Sequence, residues 1–107
     1  MSRELLGHFE LLVLLALLRG GEEAYGVPIA NAISEGTGKR VILASVYNTL
    51  ERLEEKGFVT STVGQPTSER GGRAKRYFSI TTAGLREVRT AKKALTVLWR
   101  GIPVHEG

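Results

Sequence analysis

The stretch from residue 44 to residue 57 contains side chains that could read nucleic-acid bases. Its sequence is Ala-Ser-Val-Tyr-Asn-Thr-Leu-Glu-Arg-Leu-Glu-Glu-Lys-Gly. On a helix of about 3.6 residues per turn, Val46, Leu50 and Leu53 share one apolar stripe, and a polar stripe lies roughly 100° or more away. The polar stripe consists of Ser45, Asn48, Thr49 and Arg52. Short polar groups and a guanidinium can reach base edges and phosphates in the major groove of DNA, although a merely solvated helix face would look similar.

Tyr47 lies on the opposite flank of the apolar stripe. A tyrosine at the edge of a packed face can bury its ring and keep its hydroxyl near solvent. The hydroxyl could then contact a DNA phosphate, or it could be satisfied within the protein. The residues alone leave both roles of Tyr47 open.

A basic segment, Arg-Gly-Gly-Arg-Ala-Lys-Arg, follows at residues 70–76. Strand alternation would send Arg73 and Lys75 to the same face. Cations here could neutralise phosphates or enter the minor groove, and each phosphate contact would steepen the loss of affinity with salt. The candidate DNA contacts in this segment are Arg70, Arg73, Lys75 and Arg76. The alternative is a solvated hairpin, in which Glu69 could simply pair with Arg70.

The sequence before these groups predicts helices that could hold them. Residues 4–18 are apolar on nearly every side after Phe9, as expected for a buried helix, and a glycine pair ends it. A second helix begins at Tyr25-Gly-Val-Pro, because proline is tolerated in a first turn, and it ends near Gly36. The third helix carries the polar stripe and stops at Gly57.

A hairpin and a fourth helix complete the predicted order. The β-branched residues within 58–63 predict one strand, and residues 76–81 predict its partner. Thr81 or Thr82 can cap the last helix. The predicted fold class is therefore mainly α with a small β hairpin, in the order of a winged helix-turn-helix followed by a C-terminal dimerisation helix.

We assign residues 1–81 to the winged helix-turn-helix and residues 82–103 to the dimerisation helix, which is continuous with the same domain. The apolar residues of this last helix recur at spacings of three and four, with few partners in their own chain. The residues assigned to the dimer interface are Leu11, Leu14, Leu85, Val88, Lys92, Leu95 and Trp99. A lysine such as Lys92 is unusual in a row of apolar interface residues. Its ammonium group could extend to solvent, or it could pair with Glu10 or Glu87 of a neighbouring chain.

The composition favours a polyanionic partner. Lysine and arginine total 15 against 11 acidic residues, which gives a net charge of +4 in a chain of 107 residues. The chain has no cysteine, which suits a reducing cytoplasm, and the apolar run of residues 11–18 is far shorter than the roughly 20 residues that span a bilayer. We read no targeting segment and expect a cytoplasmic protein without membrane contact.

No set of residues in the sequence has the types and spacing of a catalytic or metal site. There is no aspartate, and the two histidines, His8 and His105, lie near opposite ends without a spaced metal partner. The segment Gly36-Thr-Gly-Lys39 lacks the first glycine and the Ser or Thr of a phosphate-binding loop. We therefore expect no enzyme activity, no metal and no cofactor.

Four segments together resemble the PadR family of bacterial transcriptional regulators. They are residues 11–18, 25–29, 46–57 and 72–84. The single short C-terminal helix is similar to that of the smaller subgroup. The resemblance implies a sequence-specific regulator of double-stranded DNA, which we expect to be a homodimeric repressor of a near-palindromic operator. It also favours the DNA contact for Tyr47, which therefore joins the candidate DNA-binding residues. The chain departs from the usual pattern of the family at three positions: Ile42 replaces a frequent Ser or Thr cap, Ala44 replaces a glycine and Thr82 replaces a proline.

The resemblance also implies an effector site at Trp99, because similar regulators bind flat aromatic molecules or drugs between paired terminal helices. A small aromatic effector is thus a candidate partner. From the residues, Trp99 is expected first of all to be an interface anchor, because a large ring on an unpaired apolar row is best buried against a partner chain, and the effector site is the alternative. A different class also stays open: a winged-helix protein interaction module that uses its basic hairpin on an acidic protein. Fold alone does not separate that module from a regulator.

Overall fold

A computed structural model describes residues 5–21, 24–64 and 75–103 of the chain. The elements, in order, are α1 (His8–Gly20), α2 (Gly26–Thr37), α3 (Leu43–Glu55), β1 (Val59–Val63), β2 (Arg76–Ile80) and α4 (Thr82–Trp99). This confirms the predicted fold class, mainly helical with a small antiparallel hairpin. It also confirms the predicted order of three helices, a hairpin and a last helix.

Local signals set most of the element ends. Gly57 has a φ of 82°, a left-handed conformation that stops α3. The Thr81 hydroxyl accepts a hydrogen bond from the Gly84 N–H at 3.0 Å, which confirms Thr81 as the cap of α4. Ile42 occupies the cap position of α3 with an extended backbone and without a side-chain hydrogen bond, so α3 begins at Leu43 although a polar cap is missing.

The core lies where α1, α2 and α3 meet the hairpin. Its fully buried side chains include Val13, Leu14, Ile29, Leu50, Leu53 and Phe78. The assignment of Leu14 to a dimer interface is therefore wrong, because a side chain with 0% exposure has no surface left for a partner. α1 is also less enclosed than predicted, since Leu15 and Leu18 are each 41% exposed.

The hairpin is joined to the helices on both sides. β1 and β2 pair antiparallel from Val59 opposite Ile80 to Val63 opposite Arg76. The Phe78 N–H donates to the Ala24 carbonyl at 2.8 Å, which attaches β2 to the backbone just before α2. On the other side, a Cβ at Gly84 would overlap the Phe58 carbonyl oxygen, so the start of α4 packs directly on the start of the hairpin. The base of the hairpin is thus held against α2 and α4.

None of the helices in the described part of the chain is both long and apolar enough to cross a membrane.

Candidate nucleic-acid interface

The amino-terminal half of α3 has one packed side and one open side. Val46 and Leu50 are fully buried against the core. Ser45 and Asn48 are exposed on the other side, as the polar stripe predicted. Their hydroxyl and amide groups have the donors and acceptors that base edges in a major groove require.

Thr49 does not belong to that open side. Its side chain is 3% exposed, and its hydroxyl accepts a hydrogen bond from Arg52 Nη2 at 3.5 Å. Position 49 lies three residues after Val46 and four before Leu53, so it joins the packed stripe. The expectation that Thr49 contacts DNA is therefore wrong.

Tyr47 holds the helix-turn-helix pair together. Its side chain is half-buried, as expected, and its ring lies against Gly26, the first residue of α2. A Cβ at Gly26 would overlap Tyr47 Cζ and Oη. The ring therefore fixes the distance between α2 and α3 and leaves the tyrosine at the edge of the open side.

Arg52 lies between the open side of α3 and the start of α1. Its side chain is exposed, with Nε 3.9 Å from Glu10 Oε2. The same carboxylate oxygen accepts a hydrogen bond from Lys56 Nζ at 2.8 Å. Burial by itself would raise the pKa of Glu10, but the hydrogen bonds from Lys56 and Gly7 and the charges of Lys56 and Arg52 outweigh burial and lower that pKa.

Lys75 directly precedes β2 at the loop end of the hairpin, opposite Gly64, and its side chain reaches Tyr25 at the start of α2. Its Nζ lies 3.3 Å from Tyr25 Oη and 4.5 Å from the centroid of the Tyr25 ring. Tyr25 in turn meets Tyr77 edge to face, with ring centroids 5.5 Å apart. The ammonium group is exposed and held near the edge of the helix-turn-helix.

Arg76 is engaged within the chain. Its Nη2 lies 2.6 Å from Glu54 Oε1, its Nε donates to Ser61 Oγ at 3.1 Å, and its guanidinium lies 5.1 Å from the centroid of the Phe78 ring. These contacts attach β2 to the carboxyl-terminal end of α3. The predicted DNA contact at Arg76 would have to compete with Glu54 for the same charge.

Two other predicted contacts, Arg70 and Arg73, lie outside the described residues. Lys39 and Arg40, which are not among the predicted DNA contacts, are exposed in the loop immediately before α3. The Val41 N–H donates to Ser34 Oγ at 3.2 Å, which ties this loop to α2. Two adjacent cations just before the third helix were a sequence signal for phosphate contacts. In helix-turn-helix proteins, the amino-terminal end of the recognition helix is the end that approaches DNA.

α4 leaves an apolar surface uncovered by its own chain. Leu95 is 54% exposed and Trp99 is 63% exposed. A groove of about 310 Å³ separates the start of α1 from α4. Its lining residues are Leu5, Leu6, His8, Leu11, Glu87, Thr90, Ala91, Ala94, Leu95 and Leu98. The structure thus brings Leu11 and Leu95, two of the predicted interface residues, to the same groove.

The remaining predicted interface residues differ in how exposed they are. Val88 is 7% exposed and packs in the core, so its assignment to the interface is wrong, and Leu85 is half-buried. Lys92 is exposed beside Arg89 and Lys93, and the suggested pairing with Glu10 fails because Lys56 of the same chain already binds that carboxylate. The early α4 residues pack inward because the hairpin contacts that end of the helix.

The described residues contain no group of three or more His, Cys, Asp or Glu side chains that could hold a metal ion.

Comparisons with known proteins identify the architecture. The family model described as "Transcriptional regulator PadR-like family" matches residues 14–90, well over half of the chain. This family consists of transcriptional regulators and not of enzymes, in agreement with the prediction of no enzyme activity. Comparison with curated proteins gives no match.

Solved structures agree with the family match. A PadR family transcription regulator from Clostridium difficile is 20% identical with a TM-score of 0.73, covering 88% of this chain and 93% of that one. One from Eggerthella lenta is 26% identical with a TM-score of 0.69, covering 87% and 76%. A PadR-like regulator from Bacillus cereus is 22% identical with a TM-score of 0.67, covering 85% and 84%. The fold is thus the PadR winged helix-turn-helix with a C-terminal helix.

Proposed function

We propose a function from one premise: this chain belongs to the PadR-like family of transcriptional regulators. The proposed function is sequence-specific binding of a near-palindromic operator by a homodimer that represses transcription in the cytoplasm. The observation that carries it is the open amino-terminal half of α3, where Ser45 and Asn48 are exposed directly after Lys39 and Arg40. In helix-turn-helix proteins this part of the recognition helix contacts base edges, while flanking cations contact phosphates.

The hairpin supplies the second proposed DNA contact. Lys75 is exposed at the loop end of the hairpin, and Arg73 precedes it in the sequence. Cations at this position would contact the backbone or the minor groove beside the half-site that α3 reads. We assign Arg76 a smaller share, because Glu54 already neutralises much of its charge.

A second copy of the chain is the proposed partner of α4. The exposed apolar side chains near the end of this helix are Leu95, Val97, Leu98 and Trp99. Of these, Leu95 and Leu98 also line the groove beside α1. A large apolar surface of this kind favours burial in an interface. A twofold dimer would place two α3 helices about 34 Å apart, the spacing of successive major grooves on one side of DNA.

An effector would act at this same interface. Trp99 is the only tryptophan of the chain and is exposed, so its fluorescence reports directly on that surface. We propose that a small aromatic molecule stacks on Trp99 between paired α4 helices and changes the spacing of the two α3 helices. Saturable quenching of Trp99 fluorescence by such molecules would support this effector site, and quenching that does not saturate would refute it.

Selection from a randomised pool of duplex DNA tests the proposed function. We expect the wild-type protein to enrich an inverted repeat and to retain it in excess competitor DNA as salt is raised. Footprinting upstream of its own coding region would then locate a natural site. Weak binding that enriches no sequence would favour the protein interaction module instead. An enriched site without an inverted repeat would refute the proposal that a dimer binds a near-palindromic operator.

A further inference from the structure

Glu10 is a buried carboxylate that the proposed DNA contacts do not use. It is 6% exposed, and the other buried polar residue in the described part of the chain is Thr49 at 3%. Both residues meet Arg52: its Nε lies 3.9 Å from Glu10 Oε2, and its Nη2 donates to Thr49 Oγ1 at 3.5 Å. A buried charge is retained at a cost unless it is paired, so its partners indicate what it holds in place.

The two oxygens of Glu10 bind different helices. Oε1 accepts the Gly7 N–H at 2.8 Å and so closes the first turn of α1. Oε2 accepts Lys56 Nζ at 2.8 Å, at the residue that follows α3. Lys56 lies 46 positions from Glu10 in sequence, so this contact exists only when α1 and α3 are correctly docked.

The position of this contact matters for the far end of α3. Ser45 and Lys56 are about 16 Å apart along a helix that rises about 1.5 Å per residue. The Tyr47 contact holds α3 near its amino-terminal end. A change at Lys56 would therefore tilt the helix about that contact and alter the angle at which Ser45 and Asn48 face the DNA. Tyr47 restrains the front of α3 against α2, whereas Glu10 restrains its rear against α1.

We propose that Glu10 is a positioning residue for DNA binding, which sets the angle of α3 through Lys56 and orients the Arg52 guanidinium at the edge of the DNA-facing surface. The inference rests on the proposed function, because it concerns how that same surface is presented. It assigns a negatively charged residue a favourable effect on binding a polyanion. Simple electrostatics predicts the opposite sign.

Positioning and simple charge repulsion predict opposite effects on DNA affinity when the Glu10 charge is removed, so Glu10→Gln tests the proposal directly. Glutamine keeps an acceptor for the Gly7 N–H but loses the charge that binds Lys56. The probe is the duplex that the wild-type protein selects from a randomised pool. We expect Glu10→Gln to bind it at least about fivefold more weakly, within the range of typical coupling between sites. Glu51→Gln is the matched control, because it removes one negative charge from the exposed face of α3 and should leave binding unchanged or tighter.

Variants of Lys56 separate positioning from a phosphate contact. Lys56→Met should weaken binding while the slope of affinity against salt stays constant, and Lys56→Arg should restore it. A phosphate contact would instead reduce that slope by about one counterion. In the Glu10→Gln background, Lys56→Met should add little, because the pair acts as one unit.

Binding is measured at temperatures where circular dichroism shows each variant to be folded. A folded Glu10→Gln that binds as tightly as Glu51→Gln overturns the inference and leaves the proposed function intact. If Glu10→Gln does not fold, Lys56→Met decides: undiminished affinity, or a reduced salt slope, overturns the inference. A wild-type protein that selects no duplex overturns the proposed function itself.

Discussion

The ring of Tyr47 lies so close to the α-carbon of Gly26 that a β-carbon there would overlap Cζ and Oη of the ring. Gly26 does not have a positive φ, so space and not backbone conformation requires the glycine. The contact joins the first residue of α2 to the first half of α3. The two helices that present the open side of α3 are thus fitted to each other through one aromatic ring.

Gly26→Ala should destabilise the protein because the Tyr47 ring must shift to make room for a methyl group. Overpacking of this kind costs about 1–3 kcal/mol, and urea unfolding would measure it. Gly36→Ala is the matched control in the same helix, since a Cβ at Gly36 meets nothing within 4 Å. That control should gain up to about 1 kcal/mol from helix propensity. Equal stability of the two variants would show that the ring moves freely.

Asn48→Ala should change the preference among DNA sites. Asn48 is exposed on the open side of α3, and a bidentate amide contact to adenine contributes about 1–3 kcal/mol of discrimination. Binding to a panel of single-base variants of the selected duplex would reveal the relaxed position. Thr49→Val is the control, because Thr49 is buried and should leave the ranking unchanged. An unchanged ranking in Asn48→Ala would remove this residue from base recognition.

Lys75→Ala and Arg73→Ala should weaken binding to all DNA sequences by a similar factor. Each cation contributes through phosphates and not through base identity, so each variant should lower the salt slope by about one. A salt titration on the selected duplex and on an unrelated duplex measures both quantities. A loss confined to the selected duplex would instead indicate base contact by the hairpin.

Stability should fall in acid partly through Glu10. The folded protein lowers the pKa of this carboxyl, because its bonds to Lys56 and Gly7 and the nearby charges outweigh burial. Its stabilising effect is therefore complete above the unfolded pKa of about 4.3 and is lost as pH falls through the lower folded value. Urea unfolding from pH 6 down to about pH 3 should show a shallower decline for Glu10→Gln than for the wild type. Parallel curves would mean that other carboxyls dominate.

Leu95→Glu should disrupt the proposed dimer. Leu95 is 54% exposed and borders the groove between α1 and α4, so a partner chain would bury the introduced charge there. Loss of a well-packed apolar contact costs about 2 kcal/mol or more, which weakens the dimer about thirtyfold. Val27→Glu on α2, at 47% exposure, is the control outside the groove. Equilibrium sedimentation compares them, and a wild-type mass of one chain would refute the dimer directly.

Periodicity and end signals predicted the elements because they act over a few residues. The apolar stripe of Val46, Leu50 and Leu53 predicted the packed side of α3, and all three are fully buried. The Thr81 cap and the Gly57 stop are contacts or conformations of the local chain. Such signals are complete within a window of the sequence, so the helices, the hairpin and the exposure of Ser45 could be read in advance.

The site could be predicted only in part, because burial at the border of a stripe depends on what packs beside it. Thr49 belongs to the polar stripe by spacing, but it is buried in the folded chain, and Leu14 and Val88 became core residues when the helices docked. The basic segment predicts a DNA contact at Arg76, but the hairpin brings its guanidinium to Glu54, 22 positions away in sequence.

By itself, the sequence of this protein determined which segments are helices and strands, where they end, and that its cations outnumber its acids. Tertiary structure alone decided which charges are already paired and which polar groups still face outward. The contacts of Glu10 with Lys56 and of Tyr47 with Gly26 join residues from separate helices. Their energies depend on distances of a few ångströms that exist only after the chain has packed, and no local pattern encodes those distances.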